Sequence, residues 1–215
     1  MQNPKVIFLD AVGTLFGVKG GVGEVYSAFS KEFGVEVSAK SLDTAFGQAF
    51  ATAEPPVFPD SDPDEIPECE FEWWRVVALR TFQEVGVLNQ FADFVDFFDQ
   101  LYNHFSTAEP WFIYPDVLPA LKRWQSEGIE LGVVSNFDSR LYFVLDALGL
   151  DQFFTSVTIS TQTGQAKPDP SIFAVALKKH SCTAQEAWHI GDSYKEDYQG
   201  AKAAGLRGIW LKRKV

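Results

Sequence analysis

The chain has 215 residues, enough for one sizeable domain and a smaller module, and its 46% apolar and 22% charged residues are typical of a folded protein. No apolar run approaches the roughly 18 residues that a membrane span needs, and a formal net charge of −11 disfavours nucleic acid as a partner. Cys69 and Cys182 are too few for a disulfide framework. Because the N-terminus has no signal-peptide pattern, we expect a cytoplasmic protein, either a monomer or a small homo-oligomer.

The first predicted element is a short buried strand over residues 6–9. Four apolar residues, two of them β-branched, lead directly to Asp10. The following turn contains Gly13 and Thr14, which supply a flexible backbone and a hydroxyl but no positive charge. Because a buried carboxylate needs a partner, a group from elsewhere in the chain must compensate Asp10.

The next stretch changes to helical periodicity and predicts an inserted helical module. Apolar residues recur at helical spacing in four segments, which predict helices over residues 22–33, 38–50, 71–86 and 90–105. Between the second and third lies a segment rich in proline and acid, residues 54–63, that cannot be helical. No strand signal of comparable strength occurs in this part of the chain.

From Pro115 onward strands and helices alternate. The pattern predicts helices over 115–127, 139–149, 169–180 and 196–204, and strands over 129–134, 154–159, 188–190 and 208–211. Such alternation implies right-handed crossovers and a doubly wound parallel sheet. The predicted fold class is therefore α/β, with a core domain formed by residues 1–16 and 110–215 and a mainly helical insertion over residues 17–109.

Polar residues follow three of the predicted strands and one loop. They are Asp10, then Ser135 with Asn136, then Lys167, and finally Asp192 with Ser193 and Asp197. Because parallel strands end along the same edge of a sheet, we expect these side chains to converge. Three carboxylates, one lysine and several hydroxyl groups indicate a site for a phosphate and a cation.

In these residues the chain resembles the haloacid dehalogenase-like (HAD) hydrolase superfamily. The match consists of motifs in the expected order: Asp10-Ala11-Val12-Gly13-Thr14, Ser135-Asn136, Lys167-Pro168-Asp169-Pro170, and Gly191-Asp192-Ser193 with Asp197. The helical insertion after the first motif is similar to the subfamily with a helical cap. The resemblance implies a Rossmann-like core, a hydrolase, and a small-molecule substrate, most simply a phosphorylated metabolite.

The resemblance also implies roles for the residues that match the motifs. Asp10 would attack phosphorus and form an aspartyl-phosphate, and Thr14 would hydrogen-bond nearby. Ser135 and Asn136 would bind the phosphoryl group, and Lys167 would neutralise negative charge on nucleophile and phosphate.

The implied cofactor is Mg²⁺, a cation that prefers oxygen ligands. The resemblance implies that the protein ligands of this ion are the carboxylates of Asp10 and Asp192 and the backbone carbonyl of Val12. It also implies that Ser193 and Asp197 contact these ligands and orient them without binding the metal.

Val12 is where the sequence departs from ordinary phosphatases of this family, which carry there a second Asp that acts as general acid and base. Valine can neither donate nor accept a proton, so we expect weak activity on phosphomonoesters with poor leaving groups.

Asp138 is one hypothesis for a residue that replaces the missing acid. The histidines His104, His180 and His189 show no partner pattern and are interpreted as structural or exposed.

Three alternatives remain open. A 2-haloacid dehalogenase needs no acid, but such enzymes have an early cap arginine, whereas the first arginine here is Arg75. A phosphonatase needs a cap lysine, for which Lys19, Lys31 and Lys40 are the candidates. A binding or regulatory protein could have kept the fold after Val12 removed turnover.

Overall fold

The computed structural model describes residues 3–213, which form two compact units. The first unit contains the chain up to Gly17, Pro56–Ile66, and the chain from Ile113 onward. The second contains Val18–Pro55 and Pro67–Phe112. The sequence-derived boundaries assign residues 56–66 to the helical insertion, whereas their contacts group them with the first unit.

A parallel sheet of five strands forms the centre of the first unit. Its strand order is β5-β4-β1-β6-β7, and every neighbouring pair is parallel. The strands are β1 Val6–Leu9, β4 Glu130–Ser135, β5 Ser156–Ile159, β6 Ala187–Gly191 and β7 Arg207–Trp210. Because β1 lies between β4 and β6, the carboxyl ends of these three strands are neighbours at one edge.

Helices flank this sheet, as the alternation predicts. They are α5 Val117–Ser126, α6 Arg140–Ala147, α7 Ser160–Thr163, α8 Pro170–Lys179 and α9 Gly200–Ala203. Apolar side chains of β1 pack with those of α8 and α9, and the buried members of this cluster are Val6, Phe8, Val134, Ile172, Phe173, Ala176, Ala187, Ala201 and Leu206. Burial of these apolar side chains packs the sheet tightly against α8 and α9 and so holds the ends of its strands in place.

The second unit is helical and has its own aromatic core. Its helices are α1 Val22–Glu32, α2 Ala39–Ala51, α3 Ile66–Glu84 (apart from its first residue) and α4 Phe94–His104. Phe82 is fully buried at the centre, with its ring stacked on Tyr26 and edge-on to Phe97. As predicted, Ser38 caps α2 through a hydrogen bond from the backbone N–H of Ser41.

Two details of secondary structure differ from the sequence-based expectation. Strands β2 Phe16–Val18 and β3 Trp111–Ile113 pair as a small ribbon at two of the four points where the chain passes between the units. Each has three residues, too few for a detectable alternation. The predicted helix over 196–204 is instead a π-helical turn, Tyr194–Gln199, followed by α9.

Within the described residues, no helix has both the length and the apolar character that crossing a membrane requires.

Candidate active site

The predicted convergence of polar residues occurs at the carboxyl edge of the sheet. Asp10 follows β1, Ser135 ends β4, and Asp192 follows β6. Lys167 reaches the same place from the loop before α8. Hydrogen bonds and close contacts join these side chains into one cluster.

Asp10 is held by two donors on the same oxygen. Its Oδ1 accepts a hydrogen bond from Lys167 Nζ at 2.6 Å and another from Ser135 Oγ at 3.0 Å. Asp10 is only 7% exposed. Within residues 3–213, Oδ2 has no hydrogen-bond partner, so this oxygen keeps its lone pairs for another reaction partner.

Lys167 links two carboxylates inside the protein. Its Nζ donates to Oδ1 of Asp10 and to Oδ1 of Asp197, both at 2.6 Å. Burial disfavours the charged amine, but the two carboxylates outweigh it and raise the pKa of Lys167 well above its usual range. Lys167 is therefore a permanent positive charge beside Asp10.

Asn136 fixes the backbone of Lys167. Its amide nitrogen donates to the Lys167 carbonyl at 2.9 Å, and its amide oxygen accepts from the Lys167 N–H at 2.7 Å. These two hydrogen bonds use both the donor and the acceptor of the Asn136 side-chain amide. Phosphate binding by Asn136 stays a prediction, and the contacts that the structure does provide make it a positioning residue for Lys167.

Asp197 accepts three hydrogen bonds from protein donors. Its Oδ1 accepts from Lys167 and from His189 Nε2 at 2.8 Å, and its Oδ2 accepts from the backbone N–H of Ser193 at 2.9 Å. A carboxylate can only accept here, so Nε2 of His189 must carry the proton. Burial opposes the charge of Asp197, but Lys167 and His189 hold the pKa of that carboxyl far below its usual range.

Asp192 lies against the turn that follows Asp10. The Thr14 hydroxyl donates to Asp192 Oδ1 over 3.4 Å, a long hydrogen bond. Gly13 has φ of 85°, and a Cβ on this residue would lie only 2.4 Å from Asp192 Oδ2. Burial, Asp10 and Asp197 together raise the pKa of Asp192. Only glycine lets the turn approach this carboxylate so closely.

The donor set fits a hard divalent cation. Oxygens of Asp10, Asp192 and Asp197 all lie within 4.8 Å of one another. Asp197 already accepts three hydrogen bonds, one of them from the charged Lys167, so Asp10 and Asp192 have more lone pairs free to bind an ion. Burial and then repulsion from Asp10 raise the pKa of Asp192, and a bound cation would offset both effects. Among the described residues no hydrogen bond uses the Val12 carbonyl, so it remains available as a further oxygen ligand.

With this geometry established, similarity to known proteins assigns the family. Residues 4–205 match the family model for haloacid dehalogenase-like hydrolase. The mouse protein named haloacid dehalogenase-like hydrolase domain-containing protein 3 is 36% identical over 205 residues, covering 95% of this chain and 80% of that protein. This chain belongs to the haloacid dehalogenase-like hydrolases.

Two further proteins are similar over part or nearly all of the chain. Glyceraldehyde 3-phosphate phosphatase of Methanopyrus kandleri is 36% identical over 101 residues, which are 46% of this chain and 43% of that one. The crystal structure of the HAD hydrolase YfnB of Bacillus subtilis, bound to magnesium, superposes with a TM-score of 0.74 and 18% identity, covering 98% of this chain and 89% of YfnB. At that identity the likeness shows the shared fold alone.

Asp138 does not sit in this HAD site as a free carboxyl. It is 1% exposed, and both of its oxygens accept hydrogen bonds from the guanidinium of Arg140. A general acid must carry a proton, whereas this ion pair stabilises the charged carboxylate. The structure therefore disfavours the hypothesis that Asp138 replaces the acid absent at Val12.

His189 is the site residue whose role the sequence analysis misses. Sequence alone indicates a structural or exposed histidine, yet it is fully buried and donates to the same Asp197 oxygen that Lys167 binds. A histidine inside an otherwise apolar strand, three residues before Asp192, is the available signal. Spacing alone cannot reveal its partner, because Asp197 returns to His189 through the π-helical turn.

Proposed function

We propose that this HAD hydrolase is a Mg²⁺-dependent phosphatase that acts on a small phosphorylated metabolite through an aspartyl-phosphate at Asp10. The observation that carries the proposal is the arrangement of Asp10, with one oxygen fixed by Lys167 and Ser135 and the other unpartnered among the described residues, beside the carboxylate of Asp192. A fixed nucleophile, a permanent cation and oxygen ligands for a metal are what phosphoryl transfer requires. The phosphatase of Methanopyrus kandleri supports this choice of substrate class.

The reaction would proceed in two displacements at phosphorus. Oδ2 of Asp10 forms a bond to phosphorus as the bond to the leaving oxygen breaks, and that oxygen departs with the electron pair. Water then attacks phosphorus, the bond to Asp10 breaks, and inorganic phosphate and the free carboxylate are regenerated. Ser135 and Lys167 would hold the phosphoryl oxygens during both steps. A divalent cation, when bound, supplies further neutralisation of phosphate charge.

Val12 determines which substrates react well. No carboxyl at this position can protonate a departing alkoxide, and a positioned general acid contributes typically about 10²–10⁴-fold. Acyl phosphates and aryl phosphates have leaving groups that need little protonation. We therefore expect the wild type to prefer them over alkyl phosphates.

The decisive experiment measures Mg²⁺-dependent phosphate release from acetyl phosphate, p-nitrophenyl phosphate and glycerol phosphate. Asp10→Asn should abolish turnover, because the amide is not a nucleophile. Val12→Asp should raise turnover of glycerol phosphate by about 10²-fold or more and change the other two substrates little. Asp146→Asn, an exposed carboxylate on α6, is the matched control and should behave as wild type.

Turnover that survives in Asp10→Asn would contradict the proposed nucleophile. Absence of turnover in both wild type and Val12→Asp, with the protein folded, would instead support the binding or regulatory alternative.

The dehalogenase alternative has one observation in its favour and one against it. Halide leaves without a proton, so Val12 would be no handicap. However, the guanidinium of Arg75 is already bound to the carboxylate of Glu72, with the shortest contact at 2.6 Å, instead of being free for a substrate carboxylate. Release of chloride from chloroacetate, absent in Asp10→Asn, would favour this alternative.

A further inference from the structure

The last residue of β7 and the segment after this strand contact both loops of the candidate metal site. Trp210 donates a hydrogen bond from Nε1 to the backbone carbonyl of Asp192 at 2.9 Å. Its ring also lies edge-on to Tyr194, with ring centres 4.9 Å apart, and Tyr194 begins the π-helical turn that directly follows the Asp192 loop. Trp210 thus holds the Asp192 loop at two points.

Arg213 holds the other loop. Its guanidinium donates to the backbone carbonyl of Thr14, in the turn that follows Asp10, and forms an ion pair with Asp116. The same group lies over the ring of Tyr114, 3.9 Å from its centre. An ion pair, a hydrogen bond and a cation–π contact together fix the guanidinium against the Thr14 carbonyl.

We propose that Trp210 and Arg213, which we call the terminal clamp, are positioning residues that set the spacing between Asp10 and Asp192. The inference rests on the proposed metal site. The hydrogen bond from Thr14 to Asp192 is long, at 3.4 Å, and by itself restrains these two loops weakly, while the Lys167 bridge from Asp10 reaches Asp197 and not Asp192. The clamp connects the same two loops through nearby residues of one short segment.

The expected consequence is selectivity between cations. Mg²⁺ demands near-octahedral geometry with oxygen ligands at about 2.0–2.1 Å, whereas Ca²⁺ tolerates irregular geometry at about 2.3–2.6 Å. Loosening the two loops should therefore weaken Mg²⁺ binding more than Ca²⁺ binding. A residue that merely stabilised the fold would weaken both ions equally.

The test is isothermal titration of Mg²⁺ and of Ca²⁺ into the purified wild type, Trp210→Phe, Arg213→Gln and Arg213→Lys. We expect Arg213→Gln to weaken Mg²⁺ binding about tenfold and Ca²⁺ binding by a much smaller factor. Arg213→Lys keeps the charge without the planar guanidinium and should show the same loss of selectivity. Trp210→Phe keeps an aromatic ring and removes the donor, and it should reproduce the effect in part.

Arg207→Gln is the matched control, because Arg207 also stacks on an aromatic ring of the first unit, that of Trp188 at 4.4 Å. It should leave the ratio of Mg²⁺ to Ca²⁺ affinity unchanged. Unchanged ratios in Trp210→Phe and the Arg213 variants, with wild-type Mg²⁺ binding intact, would overturn the clamp alone. If Arg213→Gln fails to fold in a urea titration, Trp210→Phe decides. A wild type that binds no Mg²⁺ would overturn both the clamp and the metal dependence of the proposed function.

Discussion

Gly13 places the turn after Asp10 directly against the carboxylate of Asp192 in the neighbouring loop. Its positive φ and the 2.4 Å that would separate a Cβ from Asp192 Oδ2 are two distinct demands for glycine. The first concerns the backbone and would affect folding stability. The second concerns the position of Asp192 and would affect cation binding.

Substituting Gly13 by Ala should therefore have two effects. Left-handed strain should lower the free energy of unfolding by about 1–2 kcal/mol, and displacement of Asp192 should reduce Mg²⁺ affinity and Mg²⁺-dependent turnover at least tenfold. Gly149→Ala is the matched control, because Gly149 has φ of 65° and, within the described chain, no neighbouring atom lies within 4 Å of where its Cβ would stand. It should share the loss of stability, measured in urea, but keep wild-type turnover. Equal turnover in both variants would contradict the role assigned to Gly13.

At this scale the sequence predicts which side chains meet, but not how they bond. The sequence predicts that one site contains Asp10, Ser135, Lys167 and Asp192, because parallel strands end along the same edge of the sheet. The hydrogen bonds of Asn136 to the Lys167 backbone depend on loop conformation that strand patterning does not contain. The same limit applies to Arg213, for which no local pattern gives a signal.

Strand β6 serves the site from within the sheet as well as at its end. Its last residue leads to Asp192, and His189 inside the strand holds Asp197. His189, in the rigid sheet, thereby orients the carboxylate of Asp197. That carboxylate in turn orients the amine of Lys167. We regard His189 as the anchor of this chain of bonds, because a strand moves less than a loop.

Replacing His189 by Leu removes the donor at similar volume. A hydrogen bond to a charged group contributes about 1.5–3 kcal/mol, so the free energy of unfolding should fall by about that amount. Turnover should fall roughly tenfold, with the loss in kcat more than in KM, because Lys167 becomes less well oriented toward Asp10. His189→Gln, which retains a donor, should recover part of both losses. Equal behaviour of the Leu and Gln variants would show that packing, not the hydrogen bond, is what matters.

The order of elements is largely predictable because strand and helix periodicities differ so clearly. Alternation after Pro115 predicts the parallel sheet, and helical spacing before it predicts α1 to α4. The ribbon of β2 and β3 escapes detection because its pairing joins residues nearly a hundred positions apart in strands of three residues. The π-helical turn escapes because its sequence also satisfies α-helical spacing.

For the molecule as a whole, the buried ion pairs of Lys167 with Asp10 and Asp197 make stability depend on pH. The pKa of Asp197 is held below its usual range, so its contribution to stability is present above about pH 4 and is lost as pH falls through the folded-state pKa. The pKa of Lys167 is raised, so its contribution is complete below about pH 10 and is lost as pH rises through the folded-state pKa. The contributions of Asp197 and Lys167 to stability are therefore both complete between about pH 4 and about pH 10.

Lys167→Met should consequently reduce the free energy of unfolding by about 3–5 kcal/mol at pH 7, because two buried carboxylates lose their countercharge. In this variant the two carboxylates repel each other without a countercharge between them, and protonation relieves that repulsion, so acid stabilises the folded state relative to neutral pH. The stability curves of wild type and variant, measured by urea unfolding, should converge as pH falls toward 4.

Lys179→Met provides the control for loss of a lysine charge in the same unit. Lys179 donates to the backbone carbonyl of Val157 and lies at the surface edge of α8, with no carboxylate among its hydrogen-bond partners in the described chain. Its effect should be small and independent of pH in this range. A constant difference between Lys167→Met and wild type from pH 4 to 7 would contradict the account of the buried ion pairs.

The long sequence separations within the site have a consequence for synthesis on the ribosome. Ser135 is synthesised 125 residues after Asp10, and Lys167 is synthesised 157 residues after it. Until β4 and the Lys167 loop have been made, only water can solvate the carboxylate of Asp10. The nascent chain therefore carries Asp10 without its partners while these segments are synthesised, and the candidate site can assemble only when the strands on both sides of β1 are available.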